Sequence, residues 1–130
     1  MDKALIVVDY QYDFVAEEGK LTAGKAAQDV EGHIIGLIEE MNNGGSYKGV
    51  VFTYDCHKMG DFDNREHPEG YVFGPHCIEG EAGYRYYGGL RKYEEMDGSG
   101  IELIKKRGYS LENSVVERLV GAYNELTFVG

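Results

Sequence analysis

Four short stretches of the chain carry the apolar pattern of buried strands. Ala4–Val8 (ALIVV) is continuous, apolar and rich in β-branched residues, as a strand covered on both faces requires, and Asp9 ends it. Val50–Tyr54 (VVFTY) repeats the pattern and is ended by Asp55. Ile101–Ile104 is a third, shorter strand, followed by Lys105–Lys106–Arg107, and Leu126–Val129 (LTFV) is a fourth. Between the first two strands, Ala27, Val30, Ile34, Leu37, Ile38 and Met41 recur at helical spacing, with Asn42–Gly45 as the stop. Between the last two, Leu111, Val115, Val116, Leu119 and Val120 mark a second helix, with Ser110 placed to cap it. The segment Cys56–Gly89 has no period and is rich in Gly, His, Asp and Tyr; a loop of that length in a small domain is usually functional.

Strands alternating with helices predict an α/β fold, a parallel Rossmann-like sheet with flanking helices and right-handed crossovers. Ligands of such sheets sit beyond the C-terminal strand ends. Asp9, Asp55, Lys106 and Gly130 follow the four strands, so all four are expected along one rim.

Composition narrows the function classes. The 130 residues suffice for a modest core, and the net charge is −10. An acidic chain whose single basic cluster is Lys105–Arg107 is not expected to bind nucleic acid or an anionic membrane surface. No apolar run approaches membrane-spanning length. The N-terminal MDKALIVVD enters a strand at once, so no signal peptide is expected. Cys56 and Cys77 then read as reduced thiols, and the expected location is the cytoplasm. Nineteen glycines against two prolines favour tight turns over stiff linkers.

The long loop contains YDCH (Tyr54–His57), HPE (His67–Glu69) and GPHC (Gly74–Cys77). Asp55 and His57 are two apart after a strand, so extended geometry puts their side chains on one side and Cys56 on the other. Glu69 and His76 could complete a set of two imidazoles and two carboxylates. Such donors suit one divalent cation, Zn²⁺ first, with Mn²⁺ or Fe²⁺ compatible. The spacing alone is loose, and a solvated loop with ordinary His and Asp fits it too. Asp9 could simply cap a turn, and Lys106 could belong to a solvated basic turn. Their common rim favours a site.

These motifs resemble the nicotinamidase branch of the isochorismatase-like cysteine hydrolases, over essentially the whole chain. Ala4–Gly24 (ALIVVDYQYDFVAEEGKLTAG) is similar to the family's opening strand and its D-x-x-x-D-F loop. Thr53–Gly80 is similar to its metal loop, and KRGYS (Lys106–Ser110) to its lysine motif. The resemblance implies Asp9 and Lys106 as catalytic residues, with Lys106 preferred to Lys105 by its spacing to Tyr109–Ser110. It implies Asp55, His57 and His76 as metal ligands, Glu69 as the fourth, and Phe14 and Phe73 as walls of a pyridine pocket, although plain packing under a loop would also suit the two phenylalanines.

The family nucleophile is a cysteine that follows the fourth strand, a few residues past a pair like Val129–Gly130. Neither Cys56 nor Cys77 matches it. The resemblance therefore implies one incomplete domain over residues 1–130, lacking the C-terminal third of the family fold. Leu111–Glu112 also stands where family members commonly carry Ala-Phe. The expected activity is hydrolysis of nicotinamide, or a similar small amide, to nicotinate and ammonia through a cysteine thioester. Two alternatives stand beside it: a non-catalytic metal-binding homologue, truncated or from a split gene, or another hydrolase of the superfamily. An exposed apolar Leu126–Val129 edge predicts association, most simply a homo-oligomer.

Overall fold

The computed structural model describes residues 2–45 and 47–130. Four strands, β1 (Lys3–Val7), β2 (Tyr47–Asp55), β3 (Ile101–Lys106) and β4 (Glu125–Val129), form one parallel sheet in the order β3-β2-β1-β4. The expected strands are all present. Both β2 and β3 run further than the apolar runs suggest, because backbone pairing continues to Asp55↔Lys106. Lys106 is thus the last residue of β3 rather than part of a following turn.

Each sheet face is covered, which is why β1 is apolar without alternation. Leu5, Val7, Val50, Phe52 and Tyr54 meet Ile34, Ile38, Tyr86, Leu90 and Tyr93 on one face. Ala4, Ile6, Val51 and Ile104 meet Leu119 on the other. The helices are α1 (Tyr12–Val15), α2 (Lys25–Gln28), α3 (Glu31–Asn42) and α4 (Asn113–Ala122). The single helix expected around Ala27–Met41 is therefore two. The Tyr10 hydroxyl bonds the Ala27 carbonyl and approaches that of Gln28, taking acceptors that a continuous helix would use. Ser110 does not cap α4. The helix begins at Asn113 after Glu112, and residues 107–110 bend away so that the Tyr109 hydroxyl reaches the Pro68 carbonyl at 3.4 Å.

The aperiodic segment packs as short 3₁₀ turns at Met59–Asp63, Ala82–Tyr84 and Gly88–Met96. It is pinned to the sheet by Tyr86, fully buried, whose hydroxyl lies 2.9 Å from the Val7 carbonyl and 2.8 Å from that of Thr53. No described helix is long and apolar enough to cross a membrane.

Candidate functional site

Period two along a strand puts Val51, Thr53 and Asp55 on the sheet face that also presents Ile104 and Lys106. Asp9 joins them by a backbone exception. Its φ is +47°, a left-handed conformation uncommon for a residue other than glycine. Thr53 holds it there: its Oγ1 accepts the Asp9 N–H at 3.0 Å and donates to Asp9 Oδ1 at 2.7 Å. The other Asp9 oxygen meets Lys106 Nζ at 2.6 Å, in an ion pair whose lysine side chain is 7% exposed and whose aspartate is 18% exposed.

Beside this pair, Asp55, His57, Glu69 and His76 converge, all buried, with one donor atom from each within 4.8 Å of the others. His57 Nε2 lies 2.9 Å from Asp55 Oδ2 and 2.8 Å from Glu69 Oε2. His76 Nε2 lies 3.3 Å from an oxygen of each carboxylate. These are close approaches without hydrogen-bond geometry: His57 Nε2, His76 Nε2 and Glu69 Oε2 are buried and have no hydrogen-bond partner. Leaving such groups unpaired is costly. A divalent cation at their centre would satisfy all of them, so the donor set fits the implied metal. His76 Nδ1 faces the Gly74 carbonyl at 2.8 Å, which leaves Nε2 as the lone-pair nitrogen turned to the cluster.

Electrostatics follow from this crowding. Burial alone would raise the Asp55 carboxyl, but the adjacent His57 and His76 imidazoles outweigh it and hold the value at about 2. Burial alone would lower both imidazoles, yet Asp55 and Glu69 push each above its ordinary value.

The cleft over these residues holds about 230 Å³. Asp9, Lys106, Asp55, Glu69 and His76 line it, with Phe14 and Phe73 as apolar walls. Both phenylalanine rings also pack on the His76 ring, at centroid distances of 5.4 and 5.9 Å. All eight residues expected from the sequence therefore meet around one site. A larger hollow of about 530 Å³ lies under Tyr54, Tyr84, Arg85 and Arg91, but no buried unpartnered polar side chain points into it among the described residues. Size does not select the site; convergent unpaired donors do.

The sequence missed the supports. Gln11 is fully buried; its Nε2 donates to the Asp55 carbonyl at 2.9 Å and its Oε1 accepts the Asp55 N–H at 2.8 Å. Asp13 Oδ2 accepts the N–H of Cys77 at 2.8 Å and so braces the residue after His76, which sits at φ +49°. Thr53, Asp61 and His67 belong with them. Gln11 and Asp13 fall in the D-x-x-x-D-F stretch and His67 in the HPE motif, but nothing local marks their support roles; Thr53 and Asp61 carry no local signal. Cys56 and Cys77 are free, buried thiols, and burial pushes both upward in pKa. Neither lines the cleft.

No family model matches the chain. It is 38% identical, over 131 residues, to the uncharacterized isochorismatase family protein PncA of Bacillus subtilis strain 168, with 93% of this chain and 68% of that protein covered. The crystal structure of the nicotinamidase/pyrazinamidase PncA from Bacillus subtilis superposes with a TM-score of 0.81 and 33% identity, over 100% of this chain and 71% of that one. The pyrazinamidase/nicotinamidase of Streptococcus mutans UA159 gives 0.79 and 35%, over 98% and 72%. The sheet order, the rim and these similarities lead to one conclusion: the chain belongs to the isochorismatase family.

Proposed function

We propose that this chain carries the metal- and amide-binding part of a nicotinamidase-type amidohydrolase, acting on nicotinamide or a closely similar small amide. The observation that carries the reading is that the Asp9–Lys106 pair and the unsatisfied cluster of four ligands open on one small cleft with aromatic walls. Asp55, His57, Glu69 and His76 would hold the cation, Zn²⁺ first given two imidazoles and two carboxylates, with Mn²⁺ or Fe²⁺ compatible. When bound, it supplies a Lewis-acidic anchor for the ring nitrogen of the substrate. Phe14 and Phe73 sandwich the ring and exclude water, which fixes the carboxamide over the Asp9–Lys106 pair and contributes by positioning. Asp9 is the acceptor for the proton of a thiol nucleophile. Lys106 offsets the charge of the resulting thiolate and so lowers the thiol pKa.

Neither cysteine of these 130 residues is placed to be that nucleophile, and the chain spans 68% of the Bacillus subtilis relative's length; a second reading is a metal- and ligand-binding homologue without activity of its own. Both free thiols suit a reducing compartment, and we assign the chain to the cytoplasm. We also assign it a homo-oligomeric state, because Phe128 of β4 is 60% exposed.

The test is equilibrium binding to the zinc-loaded chain. Nicotinamide should bind and benzamide, which lacks the ring nitrogen, should not. Equal binding of the two, or of neither, would remove the nicotinamidase reading. Ammonia release from nicotinamide then separates the active form from the binding homologue.

A further inference from the structure

A second group of metal-like spacing adjoins the first: His57, Asp61 and His67. His57 Nδ1 is buried without a hydrogen-bond partner and lies 3.4 Å from Asp61 Oδ2, and His67 Nε2 lies 3.5 Å from the same oxygen. A second cation is the obvious occupant, and the hydrogen bonds of His67 argue against it. The Glu69 N–H donates to His67 Nδ1 at 3.1 Å. That nitrogen therefore carries a lone pair, and in the neutral ring the proton must sit on Nε2. A protonated Nε2 cannot ligate a metal. It instead donates to the Arg107 carbonyl, 3.1 Å away.

His67 thus joins two backbones that are far apart in sequence. On one side is Glu69, whose carboxylate enters the cluster. On the other is Arg107, which directly follows Lys106 at the end of β3. The Tyr109 hydroxyl, on the Pro68 carbonyl, ties the same two segments a second time, from the exposed side. Among the described residues the aperiodic loop has no strand ladder to hold Glu69 in register, and His67 supplies one of the two side-chain links.

We propose that His67 is a positioning residue: as a neutral Nε2–H imidazole it clamps the metal-ligand loop to the end of β3, setting where Glu69 stands relative to Lys106 without touching metal or substrate. The inference rests on the metal-binding reading above and adds a residue to it.

The experiment measures zinc stoichiometry and affinity, by competition with a chromophoric chelator, in the wild-type chain, His67→Phe, Glu69→Ala and the double variant. Loss of an outer-shell partner of this kind costs about 10- to 100-fold in metal affinity. His67→Phe should show that loss with Glu69 present and almost none in the Glu69→Ala background, while stoichiometry stays at one zinc per chain. A general weakening of the fold would lower affinity equally in both backgrounds and would overturn the proposal. So would unchanged affinity in His67→Phe, or a wild type that binds two zinc ions and a variant that binds one. A wild type that binds no zinc overturns the metal-binding reading together with this one. Should His67→Phe fail to fold, nitrogen-15 chemical shifts of the wild-type His67 ring decide: an Nε2–H tautomer supports the clamp, and an Nδ1–H tautomer refutes it.

Discussion

Lys106 Nζ and Asp9 Oδ2 meet at 2.6 Å across β2, since Lys106 ends an edge strand and Asp9 follows β1 in the sheet interior. Only a long side chain on one side and a left-handed backbone turn on the other bridge that gap. The pair is therefore a product of sheet order, fixed by Thr53 on the intervening strand.

Breaking this pair should show as coupling. Asp9→Asn leaves a nearly buried ammonium without its counter-charge and should cost about 3 kcal/mol. Lys106→Met should cost somewhat less, because Asp9 keeps the Thr53 hydroxyl and some solvent. The double variant should cost at least about 1 kcal/mol less than the sum, read by denaturant unfolding. Strict additivity would mean that the pair contributes nothing specific.

Thr53→Val tests the support separately. The change preserves shape, removes the hydroxyl and leaves the Asp9 N–H without its partner, at a cost of about 1–3 kcal/mol. With Asp9 released, the Lys106→Met penalty should shrink in the Thr53→Val background; an unchanged penalty argues that Thr53 does not position the pair.

Metal and ring contacts should separate by residue. His76→Ala removes a ligand and should drop bound zinc well below one per chain, measured by elemental analysis after gel filtration. Phe73→Ala should leave zinc in place and weaken nicotinamide, since its side chain is a partly exposed wall. Full zinc occupancy in His76→Ala would take that residue out of the ligand set.

The pH dependence has a definite sign. In the metal-free chain, His57 and His76 are raised above the unfolded value of about 6.5 by their carboxylate neighbours. Their contribution to stability is fully present below that value and is lost as pH rises through the raised folded values. Asp55 works oppositely: its contribution holds above its unfolded value of about 4 and is lost as pH falls toward about 2. Zinc needs the imidazoles deprotonated, so the rise in Tm on adding zinc should grow between about pH 6 and pH 8. A zinc increment that is flat over this range would contradict the assignment of both imidazoles.

Association should track one side chain. Phe128 of β4 and Val116 of α4, both exposed, line one surface hollow. Sedimentation of the chain should show self-association, and Phe128→Lys should shift it toward monomer. A wild-type monomer at high concentration would refute the expectation.

What the sequence by itself determined was the set of strands, the parallel order of their ends and the residue types at the rim. ALIVV and VVFTY are almost wholly apolar because both faces of the sheet are covered there, and that requirement is written locally. Asp55-x-His57 is likewise local, since period two alone places both side chains together. The tertiary structure decided the rest. Glu69 and His76 come from a segment without period, so their arrival at the cluster depends on contacts made elsewhere: Gln11 on Asp55, Asp13 on Cys77, His67 on Arg107. The break between α2 and α3 depends on the Tyr10 hydroxyl, and the late start of α4 coincides with Tyr109 reaching Pro68. Each of these joins residues far apart in sequence through one polar group. Such a bond leaves no trace in local periodicity, because its partner is chosen by the packed fold and not by the neighbouring residues.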